Sequence, residues 1–417
     1  MKVYFRRLFL MPTFKKILAL VLLIAKIGFV NAQWVQVADF PGVERDDLIT
    51  FTCQNSAFAG SGMVVGYQVT KDFYEYKADI NQWIEVAELP GFARQHSFNF
   101  SFDTFACVYA GLDQSGGDLK DGFSYHPNSN TWNNLSSYPG LGSRSCAAAC
   151  IGKMGYAGLG RSNNQFMHND WWQYNSENNI WTQKASFPGL ARNLAASFES
   201  NGFIYVIGGI DENELAIGDI WQYDPNTDSW LALSTALTQP IGSSAYCKVK
   251  FSGVIVGGYG GQSFYTDNAF VFDGFNHSVN NIPSIPIDGQ RKGAKAFSIN
   301  DEVYVTCGIT SNNVRLKSTW KYGQINKVND INDISKTIQI YPNPADESFS
   351  ILINSDIENE FTNYIISNLE GIEIQKGNIS YHNKVKGIDI KDLIAGCYLV
   401  KVYNPNRIII QKLFVAH

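Results

Sequence analysis

Five arginines follow prolines at nearly constant spacing. Arg45, Arg94 and Arg192 lie four residues after Pro41, Pro90 and Pro188, and Arg144 and Arg291 lie five after Pro139 and Pro286. A guanidinium offers a planar fork of donors that fits a carboxylate through two parallel hydrogen bonds. If the five side chains converge, they form a face for an acidic peptide or for a uronic or sialic-type sugar. The competing use is architectural: the same fork can bond backbone carbonyls and pin loops. Only "PIGSS" at 240–244 breaks the series. Asp211, Glu212 and Glu214 also cluster, in "GIDENELAIGD", but without the spacing of a calcium loop, so they read as a solvated acidic turn.

What must hold the arginines is a repeat. Trp34, Trp83, Trp132, Trp181 and Trp230 recur at intervals of 49 residues, and from Trp83 on each closes a segment with a Tyr seven positions earlier, as in "SYHPNSNTW" and "QYNSENNIW". Within each period come a run of small residues ("NLAASF", "SCAAAC"), an aromatic-apolar run ending in Gly ("FIYVIGG", "VIVGG"), a variable polar loop, an alternating aromatic run ("IWQYD"), a turn rich in Asn, Asp and Ser, and the Trp strand. The runs are short, alternate with period two and are bounded by turn residues. Each period therefore encodes four antiparallel strands. A sheet that small cannot bury both faces alone, whereas copies packed face to face around an axis can, which predicts a β-propeller.

The Gly-Gly after "IYVI", the Tyr-Asp-Pro, the Trp and the Pro followed by Arg resemble the kelch repeat over residues 34–323. The departures are "GSG" at Gly60–Gly62, "LG" at Leu159–Gly160, "CG" at Cys307–Gly308 and Val279 at the place of the next Trp. The two ends supply complementary fragments. Trp34 opens a fourth strand with none before it, while "AKAFS", "EVYVTCG" and "STWKYG" give three strands with no Trp strand after them. The expectation is six blades, the last closed by "WVQVADF" beside Tyr304 and Tyr322.

The resemblance places the arginines on one rim of a central channel, the usual docking face of kelch domains that bind partners. Two enzyme classes on similar propellers need more. A galactose-oxidase-like copper centre takes two His and two Tyr, yet His96, His126, His168 and His277 fall at different phases of the repeat. A kelch-type sugar-acid mutarotase needs a rim Arg with an acid or base, and the sequence marks out no acidic residue. No nucleophile motif, phosphate loop or dinucleotide fingerprint occurs, and no cofactor or metal is implied.

From Ile338 the pattern becomes short strands punctuated by "NPAD", "LEG" and "AGC", which predicts a small antiparallel β-sandwich. "IYPNPADESFSI", "LIAGCYLVKV" and "KLFVAH" resemble the type A sorting domain of the type IX secretion system, with Tyr341, Pro342, Asn343, Pro344, Gly396 and Tyr398 as its motif residues. The resemblance implies recognition of residues 338–417 by that machinery and delivery to the surface or medium. At the other end, basic residues precede "ILALVLLIA" and a small-residue site near Ala32, which reads as a signal peptide over 1–32 starting at Met1 or Met11. Once it is removed, no stable membrane span is expected. The remainder carries 27 basic and 38 acidic residues, a balance that speaks against nucleic acid as a partner. Seven cysteines without a CxxC pair read as small buried hydrophobes.

The expected protein is thus all-β: a signal peptide at 1–32, a six-bladed kelch-type propeller at 33–323, a linker at 324–337 and a sorting sandwich at 338–417. Its expected role is an exported binding or adhesion module for an extracellular protein or glycan docked on the arginine rim, with a sugar-acid mutarotase or copper oxidase as the catalytic alternative.

Overall fold

The computed structural model describes residues 33–163, 166–261, 264–323, 338–353, 363–368, 372–378, 384–404 and 407–416. The expected signal peptide and the 324–337 linker lie outside them. The chain divides into two compact units, one ending at Gln324 and one beginning at Ile325. Among the described residues there are strands and turns and no helix.

Six antiparallel sheets follow one another in the first unit. Blade one runs Ile49–Cys53, Ser56–Gly60, Phe73–Lys77 and Gln82–Val86, and blades two to five repeat this order up to Val279–Ile282. Blade six combines Lys295–Ile299, Glu302–Thr306 and Thr319–Tyr322 with the N-terminal Trp34–Val37. Trp34 stands opposite Tyr322 and Val37 opposite Thr319, the closure the two end fragments require. The ring leaves no blade with a missing outer strand.

Tyr and Trp pair across the third and fourth strands and latch neighbouring blades. Tyr125 stands opposite Trp132 with ring centroids 4.8 Å apart, and Tyr76/Trp83, Tyr174/Trp181 and Tyr223/Trp230 repeat the geometry. Between each pair a turn residue in the left-handed region, such as Asn130, turns its side-chain oxygen to two donors. Asn130 Oδ1 accepts from the Tyr125 hydroxyl at 2.9 Å and from the amide of Ala87 at 2.8 Å, just past the preceding blade's outer strand. Trp132 Nε1 donates to the Ala87 carbonyl at 2.9 Å. In blade five Val279 replaces Trp opposite Phe272. Asn130→Ala removes both hydrogen bonds and a residue suited to the left-handed turn, so it is expected to lower unfolding free energy by about 1–2 kcal/mol, readable in a denaturant titration.

The kelch glycine pair is conserved in backbone where it is not in sequence. Its first residue is Ser61, Ala110, Leu159, Gly208, Gly257 or Cys307, and all six hold φ near +60°. Its second is Gly in every blade. At Gly209, with φ 112°, and at Gly258, with φ 123°, a Cβ would meet a backbone carbonyl at 2.9 and 2.7 Å. Side chains are tolerated at the first position because only its conformation is required.

All seven cysteines are free thiols, and Cys53, Cys107, Cys146, Cys247 and Cys307 are buried among apolar neighbours. The second unit packs Ile338–Tyr341, Ser348–Ile353 and Lys384–Asp389 as one sheet and Glu373–Asn378, Asn363–Ser367, Gly396–Asn404 and Arg407–Val415 as another, over a core that includes Phe349, Ile366, Ile388, Val400 and Leu413. Asn343 of the sorting motif behaves like a strand rung: its Nδ2 donates to the Lys412 carbonyl at 2.7 Å, and its Oδ1 accepts from the Phe414 amide at 2.8 Å. Tyr398 donates to the Ile394 carbonyl, and Tyr341 is exposed.

Candidate functional site at the channel mouth

The arginines do not form the expected rim. Arg45, Arg94, Arg192 and Arg291 are at most 1% exposed. Each guanidinium reaches the carbonyl 16 residues on, that of Ser61, Ala110, Gly208 and Cys307, which is the first member of the glycine pair. Three of them also grip the carboxylate 27 residues on. Arg45 holds Asp72 at 2.7 and 2.8 Å, Arg94 holds Asp121 at 2.6 and 2.8 Å, and Arg192 holds Asp219. Burial alone would raise Asp72 and Asp219, but the arginine bonds and charges outweigh it and hold both below the usual carboxylate range. Arg291 finds Ser318 in place of an acid, and burial pushes it down to about 10. These four are brackets that fix the backbone where the second strand gives way to the glycine pair, so their donors are not free for a ligand.

Arg144 is the exception. In blade three Ser143 takes the bracket position, and Arg144 falls in phase with Asp46, Gln95, Asn193 and Lys292 at the channel mouth. It hydrogen-bonds the Ser162 carbonyl at 3.0 Å and lies 3.6 Å from Asp118, and two backbone bonds join it to Arg161. Arg161 in turn pairs with Glu214 at 2.9 Å, which gives one member of the acidic turn a partner.

One residue further on, the chain forms a closed ring. Asp47, His96, Ser145, Leu194, Ser243 and Gly293, one per blade, all have φ between 53° and 63°. Each amide donates to the carbonyl of the preceding blade's member, from Ser145 to His96 at 2.8 Å round to Asp47 to Gly293 at 2.8 Å. Left-handed backbone costs a non-glycine residue about 1–2 kcal/mol, which six mutual hydrogen bonds offset. The ring caps a channel of about 660 Å³ lined by the inner strands, including Thr50, Asn99, Ser197, Tyr246 and Lys248.

Charge gathers on the mouth where blades six and one meet. Asp46 is ion-paired with Arg315 at 2.5 Å, both side chains buried, and Asp47 lies 3.5 Å from His96 Nε2. Burial, then the charge of Asp47, pushes Asp46 up to about 6, and burial raises Asp47 too. Burial, then the nearby Lys295, pushes His96 down to about 3, so its imidazole is neutral at pH 7. Lys292 lies over the rings of Tyr259 and Tyr265, with Nζ 5.6 and 5.2 Å from their centroids. The constellation thus offers cations for an anionic group and two neighbouring carboxyls whose pKa values burial raises. No acid was marked out by the sequence. The signal was present in the 49-residue phase, because Asp47 and His96 occupy the ring position, but neither residue type recurs there.

Comparisons with known proteins divide along the same boundary between units. Residues 138–284 match the family described as NANM, N-acetylneuraminate epimerase, and residues 339–416 match the secretion system C-terminal sorting domain. The solved structure titled "Structure of YjhT" superposes with a TM-score of 0.59 at 14% identity, over 68% of this chain and 96% of that one. The chain is a kelch-type β-propeller with a C-terminal sorting domain. A search of curated proteins finds no match. The kelch propeller is therefore exported to the cell surface or medium, and its sorting domain marks it for the type IX secretion machinery. At 14% identity the likeness to YjhT is one of fold.

Proposed function

We propose that this exported propeller binds a sugar acid at the channel mouth and exchanges its anomers. Support comes from the gathering, where blades six and one meet, of two carboxyls with raised pKa values, Asp46 and Asp47, and of cations within electrostatic reach of that cluster, Lys292 acting on Asp47 and Arg144 on His96. The match of residues 138–284 to the N-acetylneuraminate epimerase family points to the same substrate class. In this reading one carboxyl gives its proton to the ring oxygen while the other, ionised, takes the proton of the anomeric hydroxyl. The ring C–O bond breaks and a carbonyl forms at the anomeric carbon. Closure on the other face of that carbonyl returns both protons and yields the other anomer, with no net oxidation. Neutral His96 stands beside Asp47 to pass the proton between them. The five-arginine rim contracts to Arg144, whose fork takes part in holding the substrate carboxylate.

The test is two-dimensional exchange NMR on N-acetylneuraminate with the full chain lacking residues 1–32. Cross-peaks between anomers that grow with protein concentration support the reading. Line broadening of the sugar without faster exchange returns the propeller to a binding module, and no effect on either leaves neither use of the mouth.

A further inference from the structure

Position 295 departs from its own repeat. The first residue of the inner strand is Ile49, Phe98, Ala147, Ala196 and Ala245 in blades one to five, all buried and apolar, and Lys295 in blade six. A lysine in that wedge gives up packing for an amine. Among the described residues no hydrogen bond or ion pair engages its Nζ, although Arg315, on the same side of the mouth, has its own acid in Asp46. Lys295 also lines the channel and lies within electrostatic reach of Asp47 and His96. An unpartnered amine lining a channel, within electrostatic reach of a carboxyl whose pKa burial raises, is an arrangement that can add to carbonyl carbon.

We infer that Lys295 captures the open-chain carbonyl of a keto or aldehydo sugar acid as an imine. This rests on the reading above only in the source of the carbonyl, since ring opening is what exposes it. The amine nitrogen bonds to the carbonyl carbon, the oxygen leaves as water after accepting two protons, and Asp47 supplies and retrieves the proton that the dehydration needs. Burial lowers the pKa of the ammonium, the direction that favours the free amine, while Asp47 opposes it. The trapped species requires no oxidant. External cyanoborohydride, added as the probe, delivers hydride to the C=N carbon and leaves a stable secondary amine.

The experiment treats the full chain lacking residues 1–32 with cyanoborohydride and either N-acetylneuraminate or pyruvate, a keto acid that needs no ring opening, and maps adducts by peptide mass spectrometry. Labelling at Lys295 at least tenfold faster than at exposed lysines such as Lys153 is expected, with loss of that label in Lys295→Met. Equal labelling of all lysines, or none at Lys295 with pyruvate, overturns the inference. Lys295→Arg keeps the cation and separates the two ideas. If anomer exchange persists in that variant and in a wild type that gives no adduct, the mutarotase reading stands without the imine. If pyruvate labels Lys295 while no exchange is seen, the imine stands without the mutarotase. Circular dichroism of both variants confirms the fold against which the labels are compared.

Discussion

Arg94→Met is expected to destabilise the propeller by about 3 kcal/mol while leaving events at the mouth unchanged. The guanidinium is fully buried and makes four hydrogen bonds: Nε to the Phe92 carbonyl, Nη1 to the Ala110 carbonyl at 3.1 Å, and two to Asp121. Methionine retains much of the volume, so the loss is chiefly polar. It takes one of two donors from the Ala110 carbonyl, which keeps the Ser97 hydroxyl at 2.9 Å, and leaves Asp121 without its cation. Asp121 is about one-third exposed, so water recovers part of its cost, and the expected effect lies at the lower end for breaking a buried pair. Thermal and urea unfolding read the change. An unchanged midpoint would contradict the bracket, and weakened sugar binding at an unchanged midpoint would restore the rim. The acidic limb offers an independent check through the neighbouring brackets. Asp72 and Asp219 have lowered folded-state values, so their contribution is full above the unfolded value of about 3.9 and is lost as pH falls through the folded values.

The brackets also show what kind of information the sequence carried. Strand order, blade number and closure were legible because each is written several times: the Trp period fixes the blades, and two incomplete ends can only complete each other, as Trp34 opposite Tyr322 shows. Repetition was equally a guide to role. Arg45, Arg94, Arg192 and Arg291 recur because four of the six blades fix the same turn in the same way. The mouth was not legible for the converse reason. Asp46, Asp47, His96, Lys292, Lys295 and Arg315 each occur once, up to 269 positions apart, and only ring closure brings Arg315 onto Asp46. Arg144 was grouped with the brackets because its distance from Pro139 equals that of Arg291 from Pro286. The structure separates them: blade six absorbs its extra residue before the arginine, at Asp288 in the left-handed region, whereas blade three does not. In a closed repeat, singular departures from the phase at the axis are where ligand chemistry can be placed without disturbing the scaffold.

Asp47→Asn is expected to slow anomer exchange at least about 100-fold, the scale of a lost general acid or base, with little loss of sugar affinity. Asparagine is isosteric, stays in the left-handed region readily and keeps the ring amide, so the mouth retains its shape. It can neither take nor give the proton, and the remaining carboxyl, Asp46, is tied to Arg315. The substitution should raise stability at pH 7. The folded-state carboxyls of Asp46 and Asp47 are both raised, so whatever stability their protonated forms supply is complete below the unfolded value of about 3.9 and is lost as pH rises through the folded values, about 6 for Asp46. At neutral pH the pair therefore costs stability, and a neutral amide relieves part of the cost by removing one neighbouring charge from Asp46. The same sign sets the activity profile. Exchange needs one proton on the pair, so the wild-type rate should fall as pH rises well above 6 and the last shared proton is lost. The measurement is exchange NMR between pH 5 and 8 beside urea unfolding of both proteins at pH 7. An Asn variant that exchanges at the wild-type rate would remove Asp47 from the proton path, and one that is less stable than wild type would mean that the burial of the pair is compensated by the cations around it.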